Sequence, residues 1–135
     1  MGDFPAWFPE GCPHDAVETN AAIFRGCESN PATAEDFTPH ARSAVRRKQR
    51  MAEGGSCLGF GLSVWVSEGD ARHAQELFNW AAKWHIFRGE VSPDDGQLAA
   101  TGTRNQPAHH SFWVYDGIDL TGKFEPALPP MAGGA

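Results

Sequence analysis

Four residues have the chemistry and placement of a site: Arg25, Ser63 and the adjacent pair His109 and His110. Arg25 interrupts the apolar run of residues 21–26, so on burial its guanidinium needs an acidic partner or an anionic ligand. Ser63 stands between Leu62 and Val64, in a run whose other side chains are built for a core. Neighbouring histidines on a strand face opposite sides, so at most one of His109 and His110 can enter the same cleft. Each of the four lies at or beside the end of an expected core strand, where side chains can converge on a cleft. Each residue also has a plain structural use. Arg25 can pair with an internal carboxylate, Ser63 can bond to the backbone, and both histidines can be packing groups.

The order of these residues carries a resemblance. A strand ending Phe24-Arg25-Gly26, then Asp36-Phe37-Thr38-Pro39, then Gly61-Leu62-Ser63-Val64-Trp65 running into a helix is similar to the ADP-ribosyltransferase-like superfamily. That superfamily includes toxin-type transferases and RNA 2′-phosphotransferases. The likeness spans residues 21–80 loosely. It implies NAD as the cofactor, Arg25 on its phosphates, and Ser63 with Trp65 shaping the nicotinamide or ribose pocket. It also implies a late Glu that polarises a ribose hydroxyl, for which Glu90 and Glu125 are the candidates by position.

Other residues carry weaker chemistry. Cys12-Pro13-His14 with Cys27, or His109 and His110 with Cys57, contain metal-ligand types, but neither set has a Cys-x-x-Cys or His-x-x-x-His spacing, so no metal site is assigned. Cys57 follows Gly-Gly-Ser with no helix start to activate a nucleophilic thiol. Arg42, Arg46, Arg47, Lys48 and Arg50 place five cations within residues 42–50 with no acid among them. Removing those five from the 11 basic residues leaves six against 17 acids, a balance of −11 for the rest of the chain. The whole chain is therefore not a general nucleic-acid binder, and no aromatics interleave the basic run. Arg46 and Arg47 would instead meet an acidic protein or a nucleotide phosphate. Trp80 lies off the apolar stripe of its segment and is the candidate for an exposed ring at a partner surface.

These residues need elements to position them. A length of 135 residues is that of one domain, with an extended aromatic arm over residues 1–20, a globular body to 125 and a loose Pro/Gly/Ala tail over 126–135. Residues 21–26, 57–66, 86–91 and 111–115 read as strands. Ser92-Pro93-Asp94-Asp95-Gly96 is a turn, with residues 97–101 as the hairpin partner of 86–91. Thr33-Ala34-Glu35-Asp36 has capping-box spacing, and Thr38-Pro39 starts a helix to about residue 53. Ala71, Ala74, Leu77, Phe78, Ala81 and Trp84 recur at helical steps after a Ser67 cap, predicting a second helix over 68–85. The expected fold is α+β, with two main helices packed on a small mixed or antiparallel sheet. No run of 18 apolar residues is present to span a membrane. Three cysteines at irregular spacing suggest reduced thiols and a cytoplasmic protein.

Two functional readings follow. The leading one is a non-catalytic ligand- or partner-binding domain, because no complete catalytic set can be named. The other is a nucleotide-linked transferase that uses Arg25, Ser63 and His109 or His110.

Overall fold

The computed structural model describes residues 2–39 and 57–131. The helix expected over 39–53 lies, from residue 40 onward, outside the described residues, as do the basic run 42–50 and its Arg46 and Arg47.

Among the described residues, six short strands form two antiparallel sheets. In one, β1 (Ala21–Cys27), β3 (His85–Val91) and β6 (Phe124–Leu128) lie in the order β1-β3-β6. In the other, β2 (Leu62–Val64), β5 (His110–Val114) and β4 (Gly96–Ala100) lie in the order β2-β5-β4. One α-helix is present among the described residues, α1 (Glu68–Leu77). The expectation of two main helices on one small sheet is therefore corrected: strands and loops dominate, and the sheet is two separate three-stranded ladders.

The alternation of apolar residues explains the core. Ile23 and Cys27 of β1, Leu62 and Val64 of β2, Phe87 and Val91 of β3 and Phe112 of β5 are buried together with Phe37 and Leu120. A second cluster holds α1 against the sheets, with Ala71 and Ala74 packed on Phe24, Trp65 and Ile86. Small helix residues let the helix approach those large rings closely. Identical Ile-Phe-Arg-Gly tetrapeptides at 23–26 and 86–89 pair with each other, so Ile23 meets Gly89 and Arg25 meets Phe87.

α1 begins where its cap lies. Ser67 Oγ accepts from Asp70 N–H at 3.1 Å and donates to the Asp70 carboxylate at 2.7 Å. It ends at an extended Phe78 rather than at residue 85. Turns follow, with Ala81 N–H bonded to Phe78 O and Trp84 N–H to Ala81 O. These turns swing Trp84 over Gly26, where any Cβ would strike its ring. Ala81 and Trp84 keep their apolar role without the helix, which is why the periodicity runs past the helix end.

Two further expectations change. β4 pairs with β5, not with β3, so the Ser92–Gly96 turn carries the chain from one sheet to the other. The buried Asp95 carboxylate holds that turn through Ser92 N–H at 2.8 Å and Lys123 Nζ at 2.9 Å. Burial alone would raise its pKa, but the bonds to Lys123 and Ser92 outweigh that and lower it. The segment from 126 is also not loose at its start, because β6 runs to Leu128 along β3. Pro126 is tolerated there because β6 is an edge strand.

The cysteine reading is overturned. Cys12 and Cys57 form a disulfide, and Cys27 is the free thiol. Burial pushes Cys27 up to about 12, so it is an inert core group. The ground for expecting a reducing compartment is thereby removed. No helix among the described residues is long and apolar enough to cross a membrane.

Packing at two glycines makes a stability prediction. A Cβ at Gly96 would collide with the Trp113 backbone carbonyl, whereas one at Gly69 on α1 meets nothing. Gly96→Ala should destabilise by about 2–3 kcal/mol. Gly69→Ala should be neutral or stabilising by about 0.5 kcal/mol. Urea unfolding of the two variants measures both signs.

Candidate functional site

Phe24 and Trp65 form an isolated antiparallel rung between the two sheets. Phe24 N–H donates to Trp65 O at 2.7 Å, and Trp65 N–H donates to Phe24 O at 2.9 Å. Continuing that register would set Gly26 opposite Ser63, but the ladder stops. Arg25 takes over the free acceptor: Nη1 donates to Ser63 O at 2.9 Å while Nε donates to Asp36 O at 3.0 Å. The split between the sheets is thus bridged by a guanidinium.

A cleft of about 170 Å³ opens at this split. Arg25, Ser63, His109 and Ser111 line it, and Leu58, Gly59 and Gly61 form one wall. The register of β2 with β5 explains the grouping. Ser63 lies opposite Ser111, and the next residues on the same face are Trp65 and His109. Gly61 completes the series by leaving room for the Trp113 ring.

Arg25 has no carboxylate within ion-pair distance among the described residues. Asp36 gives it only a backbone carbonyl, and the Asp36 carboxylate is turned to Glu28 N–H and Thr33 N–H, each at 2.9 Å. Burial lowers the Arg25 pKa, while Cys27, Asp36 and Glu28 oppose that through their fields. The group stays cationic, since guanidinium holds its proton throughout the physiological range. Two of its five N–H donors are used, which leaves three for a ligand. Arg88, the matching residue of the second Ile-Phe-Arg-Gly, shows the ordinary alternative: it pairs with Glu90 at 3.6 Å on the surface.

His109 is held from two sides. Its Nδ1 is hydrogen-bonded to Thr101 Oγ1 at 2.9 Å, and Thr101 Oγ1 is bonded in turn to Ser111 Oγ at 2.8 Å. The Trp65 ring stands edge-on to the imidazole at 5.7 Å. Burial lowers the His109 pKa first, a hydrogen bond with the Thr101 backbone opposes it, and the charges of His110 and Arg25 lower it further. His110 turns away and donates from Nδ1 to Ala108 O at 2.9 Å.

The other candidates fall elsewhere. Trp65 is 2% exposed, and its Nε1–H donates to Gln106 Oε1 at 3.1 Å, so it supports His109 from the core and has no face open to a ligand. Trp80 is 60% exposed, stacked on Phe78 and edge-on to Trp84, outside the cleft lining. Glu90 lies exposed on β3 and Glu125 exposed on β6, so the late Glu implied by the resemblance does not reach the cleft from either position. No acid is among the described lining residues. Cys12 and Cys57 have no thiolate to offer a metal, and no group of three or more ligand-type residues converges among the described residues. Sequence reasoning missed Thr101 and Ser111. Ser111 was read only as strand, although its two-residue offset from His109 places both on one face. Thr101 carried no signal, because its strand was assigned to the wrong partner.

Comparison with protein families, with curated proteins and with solved structures finds no match.

The electrostatics of the cleft give a pH prediction. In the folded chain His109 titrates below its ordinary 6.5. The neutral ring therefore contributes stability that is complete above the unfolded value and is lost as pH falls through the lower folded value. His109→Gln should flatten the fall in stability that sets in as pH drops below the ordinary 6.5. In an NMR titration, Arg25→Gln should move the His109 pKa upward, because one positive charge leaves its surroundings.

Proposed function

We propose that this domain binds a small phosphate-bearing ligand of the nucleotide class in the Arg25 cleft, as a non-catalytic binding domain. The observation that carries this reading is the guanidinium itself. It is half-buried, lacks a carboxylate partner among the described residues and keeps three donors in a cleft whose described lining holds no acid. A desolvated cation without a counter-charge is costly, and a bound anion removes that cost. The Ser63 and Ser111 side chains, paired across β2 and β5, add neutral hydroxyls that suit phosphate oxygens. The ADP-ribosyltransferase-like resemblance supports the same assignment and suggests NAD or ADP-ribose as the ligand. A volume of about 170 Å³ suits one phosphate-bearing portion of such a molecule rather than all of it.

Transfer chemistry is the second reading, and the chain from His109 through Thr101 to Ser111 favours it. With no carboxylate among the described lining residues, a transferase would use His109 as its acid–base group.

Calorimetric titration with ADP-ribose, NAD and pyrophosphate separates these readings. Binding without turnover of NAD to nicotinamide supports the first. Turnover abolished by His109→Ala supports the second. Under either one, Arg25→Ala should weaken pyrophosphate by about 1.5–3 kcal/mol, the usual worth of a charged hydrogen-bonding group. Ser63→Ala should cost about 0.5–1.5 kcal/mol. Adenosine and nicotinamide, which lack phosphate, should bind far more weakly. Absence of any heat with wild-type protein at millimolar ligand would sink the proposal.

A further inference from the structure

The cleft wall is tied by a covalent bond to the N-terminal arm, which is otherwise held by the Val17–Leu98 bridge, by Asp116 N–H on Asp3 O and by packing of its rings. Cys57 opens the 3-10 turn Cys57–Phe60, whose next residues, Leu58 and Gly59, line the cleft together with Arg25. Cys12 lies in the N-terminal arm, 45 positions earlier, and the disulfide joins the two. The Cys57 carbonyl also accepts Trp113 Nε1–H at 3.0 Å, so the ring beside Gly61 is fixed by the same residue. Around the bond sits a satellite cluster of Cys12, Phe60 and Trp113, with Phe4, Trp7 and Phe8 of the arm packed against it. This cluster is separate from the two that hold the sheets and α1. Breaking the bond therefore acts on the wall and the arm while leaving the sheets their own cores.

We propose that Cys12–Cys57 is a redox-controlled tie, and that its reduction by a dithiol weakens phosphate-ligand binding at the Arg25 cleft. The proposal rests on the ligand reading given above and adds its regulation. The exchange balances as ordinary thiol–disulfide chemistry. A thiolate of the dithiol attacks the sulfur of Cys57, the more exposed of the two residues, and the Cys12 sulfur leaves as a thiolate that takes a proton. The second thiol of the reductant then closes its own disulfide and releases Cys57 as a thiol. Two electrons and two protons pass to the protein, and the reductant ends oxidised. Arg25, Ser63 and His109 are chemically untouched, so any loss of affinity comes from the released wall. Cys27 takes no part, since it is buried and its thiol is held protonated.

The full-length oxidised chain is compared with the same chain after dithiothreitol, with thiols counted in denaturant rising from one to three. Two readouts are taken: pyrophosphate affinity by calorimetry, and the His109 pKa by NMR, which needs no ligand. Reduction should weaken pyrophosphate by at least about fivefold, the low end of usual coupling between sites. It should also raise the His109 pKa toward its ordinary value as the cleft gains water. The Cys12→Ser/Cys57→Ser double variant should show both effects without reductant and ignore dithiothreitol. Cys27→Ser should respond like the natural chain. Equal affinity and an unchanged His109 titration in the two redox forms would overturn the proposal. So would loss of the amide dispersion of Val64 and Ile86, because the bond would then hold the whole fold rather than the wall. If the oxidised chain binds no pyrophosphate while its His109 titration still responds to reduction, the ligand reading fails and the redox tie stands.

Discussion

Two antiparallel ladders meet at one rung, the reciprocal pair of backbone hydrogen bonds between Phe24 and Trp65. That rung fixes how the sheets lie and where they part. Beyond it the chain must satisfy the carbonyl of Ser63, which a longer ladder would have paired with Gly26. Arg25 does so from its side chain, and in doing so it places a cation at the seam. The position of α1 follows from the same contact. Phe24 and Trp65 share a face, and Ala71 and Ala74 pack on both. His109 follows as well, since its ring lies against Trp65.

The charge at the seam has a definite energetic sense. A surface arginine such as Arg88 meets an acid at little net gain. Arg25 is more enclosed and meets two carbonyl dipoles instead, which orient it without cancelling its charge. Asp36 could have neutralised it, yet its carboxylate is already engaged by the backbone of Glu28 and Thr33. The enclosed guanidinium and the neutral hydroxyls beside it make the cleft suited to an anion. Burial first, then the charges of His110 and of Arg25, hold the His109 pKa below its ordinary value.

Much of this was legible in the residues. β1, β3 and β5 are strongly apolar runs bounded by turn residues, and the Ser67 and Thr33 caps mark their turns through side-chain spacing alone. Arg25, Ser63 and His109 stood out because each is a polar interruption in or beside such a run. Other features were hidden for identifiable reasons. The length of α1 was obscured because Ala81 and Trp84 continue its apolar rhythm from irregular turns. The partner of β4 was misread because a five-residue turn with Asp95 looks local, whereas Asp95 and Lys123 aim it at the other sheet. β6 was masked by Pro126 in a Pro-rich stretch. The disulfide was not readable, since Cys12 and Cys57 approach only after the arm folds back onto Trp113 and Phe60. Ser111 and Thr101 matter through cross-strand register, which sequence spacing within one strand does not contain.

The central claim is that the Arg25 guanidinium is the anion contact of this domain. Its Nε and Nη protons can be followed directly by NMR with nitrogen-15 labelling while pyrophosphate is added. The account predicts a saturable shift of the Arg25 guanidinium signals, accompanied by the His109 ring and absent in Arg25→Lys for the remaining arginines. Arg25 signals that stay fixed at millimolar pyrophosphate, while other arginines shift, would contradict it.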